Sequence, residues 1–344
     1  MDRELSRRHL LKLAAAGAGA AALSPLLVKR AWAQDLPKLE KKDTYTVGFC
    51  QTGSNNPWRL AETKSMQDEA AKRGYKLIAT DANEDTAKQI ADVASVIAQR
   101  PDILIFPPRE SGPLAPSVLQ AKQAGIPVIL IDRDVEHDVA KPGRDYITFI
   151  GSDFVDQGRR AAEWLIGATG GSAKIIELEG TTGADPAIDR KQGFDELILG
   201  GSFKGTPVAT PVAGMQILAS QTGNFTRNEG RQVMETLLQA YPDVTAVYAH
   251  NDEMAIGAIA ALEAAGRKPG QDVILVSIDG ENDALQAIVD GKLGATVESS
   301  PFFGPIAFET MLKYANGEDL PDWVVVQDRF FDKSNAAEFV GKQF

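Results

Sequence analysis

The sequence predicts an α/β protein made of two doubly wound halves, each a parallel sheet flanked by helices, with a ligand cleft between them. Three observations lead there. From Thr44 onward short apolar strands alternate with helical periods, the order that gives parallel sheets with helices on both faces. The alternation yields eleven strands, more than one compact open sheet usually holds. The apolar run that ends at Asp132 is echoed by the run that ends at Asp279, so two halves repeat one pattern.

In the first half, strands are predicted at Thr44–Cys50, Lys76–Thr80, Asp102–Phe106, Pro127–Ile131 and Tyr146–Ile150. Helices are predicted between them. One runs from Arg59 to Arg73 and stops at Gly74, a residue suited to a C-cap. Another runs from Asp85 to Gln99, with Ile90, Val93, Ala94 and Ile97 at helical spacing, until Pro101 breaks it. A third is expected over Ser117–Ala124. In the second half, strands are expected at Lys174–Leu178, Met215–Ser220, Val244–Tyr248, Val273–Ile278 and Ala295–Glu298, with a last one at Trp323–Val326. The helices there are Gln157–Ile166, Arg190–Leu199, Asn228–Ala240, Met254–Ala265, Ala284–Val289 and Pro305–Tyr314.

The first thirty-three residues read as an export signal. Arg7 and Arg8 precede an Ala-rich apolar stretch, and Ala31-Trp32-Ala33 has the small-x-small pattern of a cleavage site. Ser6-Arg7-Arg8 with Leu11-Lys12 resembles a twin-arginine signal. Residues 34–43 form a charged leader. Removing residues 1–33, with six basic and two acidic side chains, takes the net charge from −11 to −15. Such a surface disfavours nucleic acid and anionic membranes as partners. One cysteine, Cys50, excludes an intramolecular disulfide framework. No two of the three histidines have metal-ligand spacing, so no metal or other cofactor is expected. A phosphate-binding Gly-Lys loop and a Gly-x-Ser-x-Gly elbow are both missing from the sequence.

The chemistry gathers where strands end. Asn55, Asn56, Trp58 and Arg59 follow the first strand, and Asp132 and Arg133 follow Ile131. Arg190 follows the Lys174 strand, Asn251 follows Tyr248, Asp279 follows Ile278, and Glu298 and Ser299 end the Ala295 strand. In open α/β sheets, ligands bind at the carboxyl ends of the strands. Planar groups with two donors or two acceptors suit the adjacent hydroxyls of a polyol. A tryptophan can cover the C–H face of a sugar. Asp132 and Asp279 also fit a hydrolytic carboxylate pair, whose separation the sequence leaves open. At the Tyr248 strand end, Asn251 is read as a ligand contact, Asp252 as the cap of the next helix, and His250 as a bystander.

These residues resemble a known family. Gly48–Arg59, Ile126–Arg133, Gly180–Glu196 and Tyr248–Gly280 resemble the ribose-type periplasmic sugar-binding proteins of ABC importers. Val47-Gly48-Phe49-Cys50-Gln51 with Trp58-Arg59, Ala187-Ile188-Asp189-Arg190-Lys191 with Gly193-Phe194, Phe225-Thr226-Arg227, and Tyr248 through Asp252 carry a closer likeness, to the galactofuranose-binding members. The resemblance implies two domains joined by three crossovers, near Ile150–Ser152, Glu298–Pro301 and Gln327–Arg329. It places residues 44–150 and 300–327 in one domain and 151–299 and 328–344 in the other. It implies a non-enzymatic, monomeric periplasmic receptor for a monosaccharide, with the membrane permease of an importer as partner. Its ligand residues would be Asn55, Asn56, Trp58, Arg59, Asp132, Arg133, Arg190, Asn251, Asp279 and Glu298. A sugar-active enzyme using Asp132 and Asp279, or a chemosensory or quorum-signal receptor, would be the other readings. The chain departs from the galactofuranose binders at Asn55-Asn56-Pro57 and has extra residues around Gly200–Gly214.

Overall fold

The computed structural model describes residues 36–203, 206–208 and 211–344. The export signal and the first two leader residues lie outside the described residues. In chain order the first lobe contains β1 (Thr46–Gln51), α1 (Pro57–Arg73), β2 (Lys76–Asp81), α2 (Thr86–Ala98), β3 (Ile103–Phe106), α3 (Ser111–Gln123), β4 (Val128–Ile131) and β5 (Phe149–Ser152). The second contains α4 (Phe154–Thr169), β6 (Ser172–Glu179), α5 (Asp185–Leu199), the β7–β8 hairpin (Gly201–Phe203, Thr206–Val208), β9 (Gly214–Thr222) and α6 (Arg227–Ala240). It continues with β10 (Ala246–Ala249), α7 (Asp252–Ala264), β11 (Ile274–Asp279), α8 (Asn282–Val289) and β12 (Ala295–Glu298). The chain then adds α9 (Phe303–Ala315) and β13 (Trp323–Val326), and ends with β14 (Phe330–Asp332) and α10 (Ala336–Phe339).

Two six-stranded sheets result, in the orders β13-β5-β4-β3-β1-β2 and β14-β12-β11-β10-β6-β9. All pairings within them are parallel except β14 on β12. Both faces of each sheet carry helices, which is why the central strands are continuous apolar runs. Every residue of β3 and of β4 is buried. Helix α9 returns to the first sheet, where Phe303, Ala307, Phe308 and Met311 join the core around Phe49 and Ile129. The chain therefore passes between the sheets three times: from β5 into α4, from β12 into α9, and from β13 into β14.

In the first sheet β1 lies between β2 and β3, and in the second β6 lies between β9 and β10. These reversals of strand order open crevices beyond the carboxyl ends of β1 and β3 and of β6 and β10. Both sets of loops face one another. The lobes touch at the rim, where Ser111 N–H donates to the Gly183 carbonyl at 2.9 Å and Asp134 N–H donates to Asp185 Oδ2 at 2.9 Å.

Several elements start earlier than the sequence pattern predicts, and proline is the common reason. Helix α1 begins at Pro57, α5 has Pro186 in its first turn, and α3 begins at Ser111 with Pro113 in its first turn. A first-turn proline lacks only an N–H that would have no partner inside the helix. Strand β14, the β7–β8 hairpin and α10 are further elements that the pattern does not predict.

Candidate functional site

The site is assembled from strand ends and helix starts. Asn56 is the N-cap of α1, its Oδ1 accepting the Arg59 N–H at 2.9 Å. This sets the first turn of α1 so that Trp58 and Arg59 are both buried. Trp58 Nε1–H donates to the Ser299 carbonyl at 2.7 Å, which ties the first lobe to the β12–α9 connection. The Arg59 guanidinium lies 4.5 Å from the Trp58 ring centre and pairs with Glu62 at 2.8 Å and Asp132 at 2.7 Å. Burial works to lower the Arg59 pKa, but Asp132 and Glu62 outweigh it and the pKa is raised.

Asp132 directly follows β4 with φ 59 and Asp279 ends β11 with φ 134. Positive φ at a non-glycine residue is costly, and it recurs at both equivalent strand ends. Burial raises the Asp279 pKa well above the ordinary carboxylate value, opposed by Arg190. Arg190 donates through Nε to Gln157 Oε1 at 2.9 Å and through Nη1 to the His250 carbonyl at 2.6 Å, and its Nη2 is 3.5 Å from Asp279 Oδ1. Arg133 donates through Nη1 to the Arg109 carbonyl at 2.9 Å. Its buried Nε has no hydrogen-bond partner among the described residues. Burial, with Arg59 close by, lowers the Arg133 pKa to about 10.

Eight of the ten sequence-predicted residues line one small cavity of about 30 Å³ between the facing side chains. They are Asn56, Trp58, Arg59, Asp132 and Arg133 from the first lobe and Arg190, Asn251 and Asp279 from the second. The structure does not bring the other two there. Asn55 is exposed. Glu298 faces Arg329 in the β13–β14 connection, accepting its backbone N–H at 3.0 Å and Nε at 2.7 Å. Burial works to raise the Glu298 pKa, yet Arg329 holds it below the ordinary value. A wider crevice of about 800 Å³, lined by Phe149, Phe154, Asp189, Asp322 and Trp323 among others, includes none of the ten. Convergent donors and acceptors, not size, single out the smaller cavity.

The structure corrects the reading of the β10 end. The N-cap of α7 is Asn251, whose Oδ1 accepts the Met254 N–H at 3.0 Å while its Nδ2 donates to the Phe225 carbonyl at 3.1 Å. Asp252 is not the cap. Its buried carboxylate accepts from Gly280 N–H at 2.6 Å, Glu281 N–H at 2.9 Å, Thr296 Oγ1 at 2.8 Å and the Ser277 hydroxyl. It therefore holds the turn that follows Asp279. Asp252→Ala leaves these buried donors unpaired and is expected to cost about 3 kcal/mol of stability, measured by urea unfolding. His250 is not among the lining residues of the cavity, and its ring is engaged behind it. Its Nδ1 accepts the Gly180 N–H at 3.3 Å, so Nε2 carries the proton toward Glu177 Oε1 at 3.0 Å. Burial lowers the His250 pKa, which keeps the ring neutral under its Arg190-binding carbonyl.

Two lining residues escaped the sequence reading, Pro186 and Phe225. Phe225 lies five residues past the predicted end of its strand, but β9 runs on to Thr222, which makes it a strand-end residue as well. Its ring has the Arg133 guanidinium at 5.5 Å and that of Arg190 at 5.8 Å. Gly180 makes the room: a Cβ there would sit 1.9 Å from the Phe225 ring. Glu62 also supports the site. It is fully buried, pairs with Arg59 and accepts from Gln51 Nε2 at 2.9 Å. Burial pushes its pKa to about 7, against the pull of Arg59. A folded-state pKa above the unfolded value of 4.5 favours the fold fully below that value and loses the contribution as pH rises through about 7. The melting temperature of the free protein is expected to fall between pH 5 and pH 8. Glu62→Gln should flatten part of that slope, and an unchanged slope would count against the assignment.

Residues 47–319 match the family model of the periplasmic binding protein domain. The chain is 39% identical over 281 residues to the galactofuranose-binding protein YtfQ of Escherichia coli (strain K12), covering 80% of this chain and 84% of that one. It is 36% identical over 279 residues to the ribose import binding protein RbsB of Bacillus subtilis (strain 168), covering 81% and 84%. Among solved structures, the binding protein of the arabinose ABC transporter from Shewanella sp. ANA-3, bound to α- and β-L-arabinofuranose, superposes with a TM-score of 0.78 at 38% identity, covering 86% of this chain and 95% of that one. With two parallel-dominated sheets, a cavity between their strand ends and this breadth of similarity, the chain belongs to the periplasmic binding protein family.

Proposed function

We propose that the protein is an exported, non-enzymatic receptor that captures one monosaccharide and delivers it to the membrane permease of an ABC importer. The sugar is galactofuranose or a related pentose or hexose. The observation that carries this reading is the single cavity where three arginines, two aspartates and two asparagine amides from opposing strand ends meet beside Trp58 and Phe225. Carboxylates accept from sugar hydroxyls, guanidinium and amide groups donate to them, and the aromatic faces cover C–H surface. Relatives that bind galactofuranose, ribose and arabinofuranose support the ligand class. A sugar touching both lobes favours the closed arrangement by its differential affinity, and the closed form is what a permease reads.

The protein acts in the periplasm as a monomer, reached by the twin-arginine route, without a nucleic-acid partner. Its ligand residues are the eight lining side chains with Phe225, and its domains divide at the three passages between the sheets. Titration calorimetry with D-galactose, L-arabinose and D-ribose is the test. Binding of at least one, with the sugar recovered unchanged after long incubation, is expected. Absence of heat with all three, or turnover of the bound sugar, would overturn the reading.

A further inference from the structure

The three passages between the sheets meet at one side chain outside the cavity. Gln157 lies in the first turn of α4, just beyond the β5–α4 passage, and is 1% exposed. Its Nε2 donates to the Glu298 carbonyl at 3.2 Å, on the β12–α9 passage, and to Asp328 Oδ2 at 2.8 Å, on the β13–β14 passage. Asp328 Oδ1 in turn accepts from Ser152 Oγ at 3.0 Å, at the end of β5. The remaining amide atom, Oε1, accepts from Arg190 Nε at 2.9 Å. Both amide protons and the amide oxygen are thus engaged, with the cavity on one side and all three passages on the other.

We propose that Gln157 is a positioning residue that couples Arg190 in the cavity to the three interlobe passages, so that sugar affinity and lobe closure are set together. A rotation of one lobe against the other must change the backbone of all three passages at once. An arrangement that joins them through one amide has few ways to move piecemeal. A ligand that fixes the Arg190 guanidinium fixes the amide orientation, and the amide orientation holds the Glu298 carbonyl and Asp328. Burial of Asp328, whose pKa is pushed up to about 7 against the hydrogen bonds from Gln157 and Ser152, makes this donor pair matter. The inference rests on the sugar-receptor reading for its binding measurement, but its structural half can be read without a ligand.

The test compares wild type, Gln157→Glu and Gln157→Leu. Gln157→Glu keeps an acceptor for Arg190 but sets a carboxylate against Asp328 and the Glu298 carbonyl. Calorimetry with D-galactose, whose aqueous equilibrium includes the furanose ring, is run at pH 8 and pH 5.5. Gln157→Glu is expected to bind roughly tenfold or more weakly at pH 8, as for a lost charge-linked hydrogen bond. Measured against the wild type at the same pH, it should regain most of the affinity at pH 5.5, where a proton on either carboxyl restores a donor. Gln157→Leu should stay weak at both. In parallel, nitroxides at Gln67→Cys and Gln232→Cys report the interlobe distance in the free protein, Cys50 being buried. Gln157→Leu should broaden that distribution. Variants that bind within twofold of wild type at both pH values overturn the coupling, whatever their melting temperatures. If the wild type itself binds no D-galactose, that ligand assignment fails and the distance distribution decides: broadening upholds the coupling, and an unchanged distribution overturns it.

Discussion

Replacing Arg190 by alanine is expected to weaken sugar binding by about 2–4 kcal/mol while leaving a folded protein. The guanidinium is buried and engages three groups: Gln157, the His250 carbonyl and, more distantly, Asp279. Its faces are also near Phe154, at 5.4 Å, and Phe225. Truncation therefore removes a donor to the cavity and leaves a buried carbonyl and a buried carboxylate without their partner. Asp279, whose pKa burial already raises, would lose the charge that opposes that rise and tend toward the neutral acid. Arg190→Lys keeps the charge but not the planar fork and should fall between the two. Asp279→Ala is expected to cost a similar amount. Calorimetry with the sugar bound by the wild type, alongside urea unfolding of the free proteins, separates affinity from stability. Wild-type affinity in Arg190→Ala would remove the residue from the site.

A second large effect is expected from a single methyl group at Gly158. Helices α4 and α5 cross with no space between their backbones. A Cβ on Gly158 would lie 2.1 Å from the Arg190 carbonyl oxygen, and one on Gly193 would lie 2.0 Å from the Val155 carbonyl oxygen. The obstructing atoms are backbone, so no side chain can swing aside, and the helices must separate. Gly158→Ala is expected to cost about 3 kcal/mol of stability, the upper part of the usual range for overpacking. It should also weaken sugar binding, because the displaced carbonyl belongs to Arg190 itself. The midpoint of urea unfolding and the calorimetric affinity are the readouts. A variant with the wild-type midpoint would mean that the crossing is looser than the structure has it.

The positions of β1, β3, β4, β10 and β11 were legible because each is a short apolar run buried on both faces, and burial of that kind is written locally in the chain. So were the residues that follow those strands. Parallel strands in a doubly wound sheet all point their carboxyl ends one way, so a list of strand ends is already a list of near neighbours. Helix starts were less legible. Pro57, Pro113 and Pro186 lie ahead of the predicted helix starts, although a proline in the first turn gives up no intrahelical bond.

What the sequence by itself determined was the fold class, the two repeated halves and the residue types that face the cleft. What only the tertiary structure decided was how those polar groups divide their bonds. Glu298 stands at a strand end like Asp279, yet it is taken by Arg329, 31 residues away. Asp252 follows Asn251 directly, yet the first is spent on the β11 and β12 ends while the second both caps α7 and faces the cavity. Gln157 gives no pattern of its own, and its role comes from partners 33, 141 and 171 residues away. Periodicity and capping reach only a few residues along the chain. A buried polar side chain instead takes whichever partners the folded chain brings within about 3 Å, and those partners are distant in sequence.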